Sequence, residues 1–220
     1  MFSSRFFTTI GIFLCAAWVL CNAEPAATTG PAHRSRIVLL GDSITAGFGL
    51  DDSAKSYPSL LQAKIDQAGL PYEVVNAGVS GDTTAGGLRR VDWVLSRSAD
   101  IFVVALGGND GLRGIQPQQT EENLRAIVKR AKEKLPSVTI LIAGMQMPPS
   151  MGPDYAAQFK AVYPRVANDT GVTLIPFLLE GVGGVPELNQ SDMIHPNAAG
   201  AKIVAENVWK VLQEKLRSRQ

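Results

Sequence analysis

Five short apolar runs alternate with helical patterns along this chain, and that alternation limits the fold more than any other feature. The runs are RIVLL (36–40), YEVVNAG (72–78), DIFVVALG (100–107), VTILIAG (138–144) and VTLIPF (172–177). Each is short, apolar and rich in β-branched residues, which predicts a strand. Between them lie segments with apolar residues at helical spacing: 57–69, 83–97, 118–135 and 154–171, then a closing one at 196–216 with Pro196 in its first turn. The segment 118–135 carries acids early and bases late, as the helix dipole favours. Continuously apolar strands separated by helices predict a parallel sheet covered on both faces. In such sheets ligands bind beyond the carboxyl ends of the strands.

The start of the chain reads differently. Arg5 precedes an uncharged, mostly apolar stretch, and Cys21-Asn22-Ala23 offers small residues for cleavage before Glu24. The 15 residues from Phe6 to Leu20 fall short of the roughly 20 needed to cross a bilayer. Residues 1–23 are therefore read as an export signal that is removed, leaving no stable membrane anchor; a retained anchor is the other reading. Residues 24–35, EPAATTGPAHRS, lack apolar periodicity and are read as a flexible leader, with the folded domain at 36–220. Both cysteines, Cys15 and Cys21, lie in the signal, so the mature chain has neither disulfide nor thiol chemistry. The formal net charge is +1, which gives no argument for nucleic acid or an anionic membrane.

Polar residues follow most of the strands: Gly41-Asp42-Ser43 the first, Asn76 to Asp82 the second, Gly107-Gly108-Asn109-Asp110 the third. Asp192-Met193-Ile194-His195-Pro196 follows the fifth after a long loop. One such cluster is explained by a glycine easing a strand-to-helix turn. Four of them, holding a serine, an amide and an acid–histidine pair, call for chemistry. His195 is the only histidine outside the leader, where His33 lies. With no cysteine nearby, a zinc site is poorly supported. Acyl transfer needs a nucleophile, a base, an orienting acid and donors for a developing oxyanion. Ser43 fits the nucleophile, His195 the base and Asp192 the acid that holds the imidazole. The N–H groups of Ser43 and Gly78 and the side-chain amide of Asn109 are candidate oxyanion donors. No G-x-S-x-G elbow surrounds Ser43, and neither phosphate-binding glycine motif is matched.

Taken in order, Gly41-Asp42-Ser43, Gly78, Gly107-x-Asn109-Asp110 and Asp192-x-x-His195-Pro196 resemble the four blocks of the SGNH (GDSL) hydrolase family. The longer strings GDSITAGFGL, NAGVSGDTTAGGL, LGGNDGLRG, PFLLEGV and IHPNAAG are similar to its bacterial periplasmic branch of thioesterase I, lysophospholipase and arylesterase enzymes. The resemblance covers residues 36–215. It implies a three-layer, flavodoxin-like α/β/α sandwich of five parallel strands in the order 2-1-3-4-5. It also implies serine-esterase chemistry without metal or cofactor, on an acyl ester, thioester or lysophospholipid, in an exported, periplasmic or secreted monomer.

Two loops are expected to frame an acyl site. Residues 143–155 carry Met147 and Pro148, and residues 176–190 carry Phe177 and Leu178. Methionine and aliphatic side chains make an adaptable apolar surface, and the glycines after Ser43 are expected to leave room for substrate. Arg113 is read as a surface ion-pair partner, with contact to an acidic head group as the other reading. A carbohydrate acetyl-esterase on the same fold and a catalytically silent binding protein are the competing readings.

Overall fold

The computed structural model describes residues 1–2 and 34–217, and the account below concerns the unit His33–Gln220. Residues 3–33, which hold the rest of the export signal and nearly all of the leader, His33 included, lie outside the described residues.

Strand β1 (Ser35–Gly41) is an interior strand of the sheet, with Ile37, Val38, Leu39 and Leu40 fully buried. Burial on both faces is what a continuously apolar strand demands. It leads through a one-turn helix, α1 (Ser43–Ala46), to α2 (Tyr57–Gln67) and the edge strand β2 (Tyr72–Gly78). Helix α3 (Thr84–Val94) crosses to β3 (Ile101–Ala105), every residue of which is buried. A second short helix, α4 (Gly108–Leu112), precedes α5 (Pro117–Lys134) and β4 (Thr139–Ala143). Helix α6 (Pro153–Thr170) leads to β5 (Thr173–Ile175), and α7 (Ala198–Arg217) closes the fold.

All strands are parallel, in the order β2-β1-β3-β4-β5. The helices pack in two sets, α2 with α7, and α3 with α5 and α6. The sheet therefore has the flavodoxin-like order that the resemblance implied. Register matters most for function. Gly41 pairs with Gly78 on one side and with Ala105 on the other, so three strands end level and their following loops emerge together.

Element ends differ from the sequence reading in ways that bear on the site. The closing helix starts at Ala198, and Pro196 lies outside it. Asn197 caps the helix, its Oδ1 accepting from the N–H groups of Ala199 (2.9 Å) and Gly200 (3.1 Å). Two short helices that the apolar pattern does not announce follow their strands closely, α1 one residue after β1 and α4 two residues after β3. They carry Ser43 and Asn109. Among the described residues, no helix is long and apolar enough to cross a membrane.

Candidate active site

Ser43 is the first residue of α1, so its N–H has no intrahelical acceptor, and none is found among the described residues. Asp42 caps the same turn: its Oδ1 accepts from the Ile44 N–H at 3.0 Å. That leaves the Ser43 side chain and N–H together at the level edge of β1, β2 and β3.

His195 Nε2 lies 2.8 Å from Ser43 Oγ. On the other side of the ring, His195 Nδ1 lies 2.6 Å from Asp192 Oδ2. Asp192 Oδ1 accepts from the backbone N–H groups of Ile194 (2.9 Å) and His195 (3.0 Å). One carboxylate thus grips both the backbone and the imidazole of a residue three positions later. The chain manages this by putting Met193 in the left-handed region, at φ 60°, a conformation that costs a non-glycine residue roughly 1–2 kcal/mol. Burial pushes the Asp192 carboxyl upward. The His195 N–H, the imidazole bond, the Ile194 N–H and the charge of His195 outweigh this and hold it at about 2.

Two further groups brace the imidazole. The Phe48 ring tilts against it, with centroids 4.7 Å apart and planes at 46°. Gln190 donates through Nε2 to the carbonyls of Phe48 (2.7 Å) and Pro196 (3.1 Å), and its N–H donates to the His195 carbonyl at 2.8 Å. A Cβ on Gly49 would stand 2.0 Å from Oε1 of the Gln190 amide. Gly49 is small to admit that amide and not to clear space for substrate, whereas Gly47 lines the cleft beside Ser43 and His195.

The oxyanion side needs a second correction. The Gly78 N–H already donates to Asn76 Oδ1 at 2.9 Å, and Asn76 Nδ2 in turn donates to the Thr45 carbonyl at 2.8 Å. A Cβ on Gly78 would fall 2.3 Å from the Ala46 nitrogen. The residue is glycine so that α1 can pack against the end of β2, and its N–H is not free for a ligand. Gly81 lies just beyond, in a turn closed by the Asp82 N–H donating to the Val79 carbonyl at 3.1 Å. With φ +80° it occupies the turn position that favours glycine. Its N–H has no acceptor among the described residues. Its carbonyl accepts from Arg113 Nη2 at 3.0 Å, so Arg113 holds this turn, and no ion pair to it is found among the described residues. Asn109 Nδ2 donates one hydrogen to the Asp82 carbonyl at 2.9 Å, which orients the amide and leaves its second hydrogen over.

Two carboxyls beside the motif residues hold loops. Asp110, fully buried, accepts from the Thr84 N–H (2.9 Å) and from the Thr84 hydroxyl, tying α4 to the start of α3. Asp42 is only 2 % exposed. Burial raises its carboxyl from 3.8 to about 6, against the downward pull of the Ile44 N–H and the charge of His195.

Beside Asp192 opens a groove of about 490 Å³, lined by Ile44, Leu112, Met145, Met147, Pro148, Phe177, Leu179, Met193 and Ile194, with Gln146 and Asp192 as its polar side chains. Its size suits a small-molecule site. Met147, Pro148 and Phe177 line it as the loops suggested. Leu178 does not: it is 1 % exposed and packs into the core while its neighbours Phe177 and Leu179 face the groove. Among the described residues no group of His, Cys, Asp or Glu is placed to hold a metal ion.

Residues 39–203 match the GDSL-like lipase/acylhydrolase family. The esterase TesA of Pseudomonas aeruginosa is 42% identical over 200 residues, spanning 90% of this chain and 94% of its own. The thioesterase 1/protease 1/lysophospholipase L1 of Escherichia coli is 40% identical over 183 residues, 83% of this chain and 85% of its own. In three dimensions the crystal structure of TesA superposes with a TM-score of 0.78 over 82% of this chain and 99% of its own, at 42% identity. The psychrotrophic esterase EstA from Pseudoalteromonas sp., solved inhibited by monoethylphosphonate, gives 0.77 over 83% and 99% at 29% identity. The chain belongs to the GDSL-like lipase/acylhydrolase family and is a hydrolase of acyl esters.

Proposed function

We infer that this enzyme cleaves acyl esters and thioesters by a Ser43–His195–Asp192 triad, with the acyl chain in the Met147–Leu179 groove. The observation that carries this reading is the unbroken hydrogen-bond chain Ser43 Oγ–His195 Nε2 and His195 Nδ1–Asp192 Oδ2, at 2.8 and 2.6 Å, beside an apolar groove. His195 takes the Ser43 proton as Oγ attacks the carbonyl carbon, and returns it to the leaving alcohol or thiol. Asp192, held ionised, fixes the imidazole and balances its charge. The tetrahedral oxyanion is met by the N–H groups of Ser43 and Gly81 and by the second Nδ2 hydrogen of Asn109. Water then releases the acyl group from Ser43 by the same proton path. A groove with two polar side chains favours an acyl chain over a sugar. Lysophospholipids and acyl thioesters, the substrates in the name of the Escherichia coli relative, together with aryl esters, are the class this site takes. Residues 1–23 direct export and are removed, residues 24–35 are a leader, and the 36–220 domain works as a monomer.

The test is hydrolysis of p-nitrophenyl esters from acetate to palmitate by the purified 24–220 chain, with Ser43→Ala beside it. The reading expects medium or long chains to be preferred and Ser43→Ala to lose on the order of 10³-fold or more in kcat. Activity that survives in Ser43→Ala refutes the mechanism. Activity confined to acetate refutes the acyl-chain assignment.

A further inference from the structure

Arg90 sits in the middle of α3 in a pattern that reads as a surface helix position, yet only 19% of its side chain is exposed. Its guanidinium makes three hydrogen bonds, and all three go to segments that hold the oxyanion donors. Nη2 donates to the Gly41 carbonyl at 2.9 Å, two residues before Ser43. Nη1 donates to the Ala77 carbonyl at 2.8 Å, at the end of β2. Nε donates to Asp82 Oδ2 at 2.7 Å. Asp82 closes the turn that presents Gly81, and its own carbonyl accepts from the Asn109 amide at 2.9 Å.

The three donors come from three separate loops, and past the Gly41–Gly78 pair one backbone bond, from the Val79 N–H to the Gly41 carbonyl at 3.0 Å, ties the first two together; the loop carrying Asn109 is joined to them through Asp82. An oxyanion hole works only when its donors stand at hydrogen-bond distance, about 2.7–3.1 Å, from the developing oxyanion. A planar, forked cation with a fixed angle between its N–H groups is suited to set carbonyls at fixed relative positions; a lysine ammonium, a single point of charge, is not. Asp82 is itself only 11% exposed, so the pair is shielded from solvent and rigidly held.

We propose that Arg90 is a positioning residue for this hydrolase: by tying the Asp82 carboxylate to the Gly41 and Ala77 carbonyls it aims the Asn109 amide at the oxyanion hole. The inference rests on the oxyanion reading above. Arg90 touches no substrate, and its effect passes through Asp82 to Asn109.

The experiment is a double-mutant cycle on the 24–220 chain, with kcat and KM for p-nitrophenyl esters and Tm recorded for each variant. Arg90→Lys keeps the charge and loses the fork. It is expected to lower kcat by about 10- to 100-fold, the scale of an ångström-sized misplacement, with KM within about 3-fold. In an Asn109→Ala background the same substitution is expected to cost less than about 3-fold, because the amide it positions is gone. If Arg90→Lys does not fold, Asp82→Asn serves instead, since it weakens the same link and leaves the two carbonyl clamps; its kcat loss must likewise vanish in Asn109→Ala. The proposal is overturned if kcat of the tested variant stays within about 3-fold of wild type, or if its full loss persists in the Asn109→Ala background. If Asn109→Ala alone leaves kcat unchanged, the oxyanion reading fails and this proposal falls with it; if Asn109→Ala is impaired and the Arg90 and Asp82 variants are not, only this proposal falls.

Discussion

Asp42 stands beside the nucleophile with a carboxyl that the fold keeps out of water, and the cost of that placement can be measured. The residue is 2 % exposed, and burial raises its carboxyl from 3.8 to about 6. A displacement of that size is worth about 3 kcal/mol between the two protonation states. Below pH 3.8 the folded and unfolded chains both hold the proton and nothing is lost. Between 3.8 and about 6 the unfolded chain releases its proton while the folded one keeps it, so stability falls as pH rises. Above that window both are ionised and the penalty persists in full. Asp42→Asn removes the penalty. The amide oxygen still accepts from the Ile44 N–H, and the new NH₂ takes the place of Oδ2, which faces Gly108. An NH₂ without a partner there costs about 1–3 kcal/mol, but equally at every pH. The quantity to follow is therefore the change in the stability difference between variant and wild type. It is expected to move by about 2–3 kcal/mol in favour of the variant between pH 4 and pH 8, roughly 5–10 °C in relative Tm for a domain of this size. Thermal melts of both proteins by circular dichroism at the two pH values measure it. Two parallel pH–stability curves would refute the argument. The same variant should lose several-fold in kcat, since the ionised Asp42 lies within the electrostatic reach of His195 and favours the imidazolium that catalysis creates.

The remaining predictions concern the acid of the triad and the wall of the groove. Asp192→Asn is expected to lower kcat on the order of 10⁴-fold at neutral pH, the scale seen when a triad acid is replaced by its amide. Because the Asp192 carboxyl falls from 3.8 to about 2 on folding, its stabilisation is full above 3.8 and is lost as pH falls toward 2; acid-unfolding curves should show a shallower loss over that window in the variant. Leu178→Ala is expected to cost about 2–5 kcal/mol of stability as a core truncation with no change in acyl-length preference, whereas Leu179→Trp should shorten the preferred chain with little change in Tm. An ester series and thermal melts on both variants separate the two roles, and the reverse pattern would move Leu178 into the groove.

The parts of this molecule that the sequence disclosed are those in which one physical demand fixes a run of residues. β1 and β3 must be apolar on both faces, so RIVLL and IFVV announce themselves, and the parallel sheet with its functional edge follows. Asp192 and His195 lie three apart and make their contact locally, so their pairing is legible too. What escaped depends on contacts that no run of residues encodes. Gly78, the last residue of β2, and Gly81, in the loop after it, stand three positions apart, and sequence alone does not separate them as oxyanion donors. Which N–H is free is decided by the Asn76 side chain turning back onto Gly78. The Asn76-x-Gly78 spacing, an asparagine able to bond a backbone N–H two residues on, was the available signal. Leu178 and Leu179 sit in a loop with no period to sort inside from outside. Gln190 reaches a carbonyl 142 residues away, and its neighbours in the chain give no hint of it. Arg90 is the sharpest case. A charged residue on an amphipathic helix reads as solvated surface, and two of its three acceptors are backbone carbonyls, which every residue possesses. Those partners become visible only once the strands that end in Gly41 and Gly78 are laid side by side. Geometry of that kind is where a catalytic site is made precise: the sequence can name the groups that react, but the groups that aim them are chosen by tertiary distance.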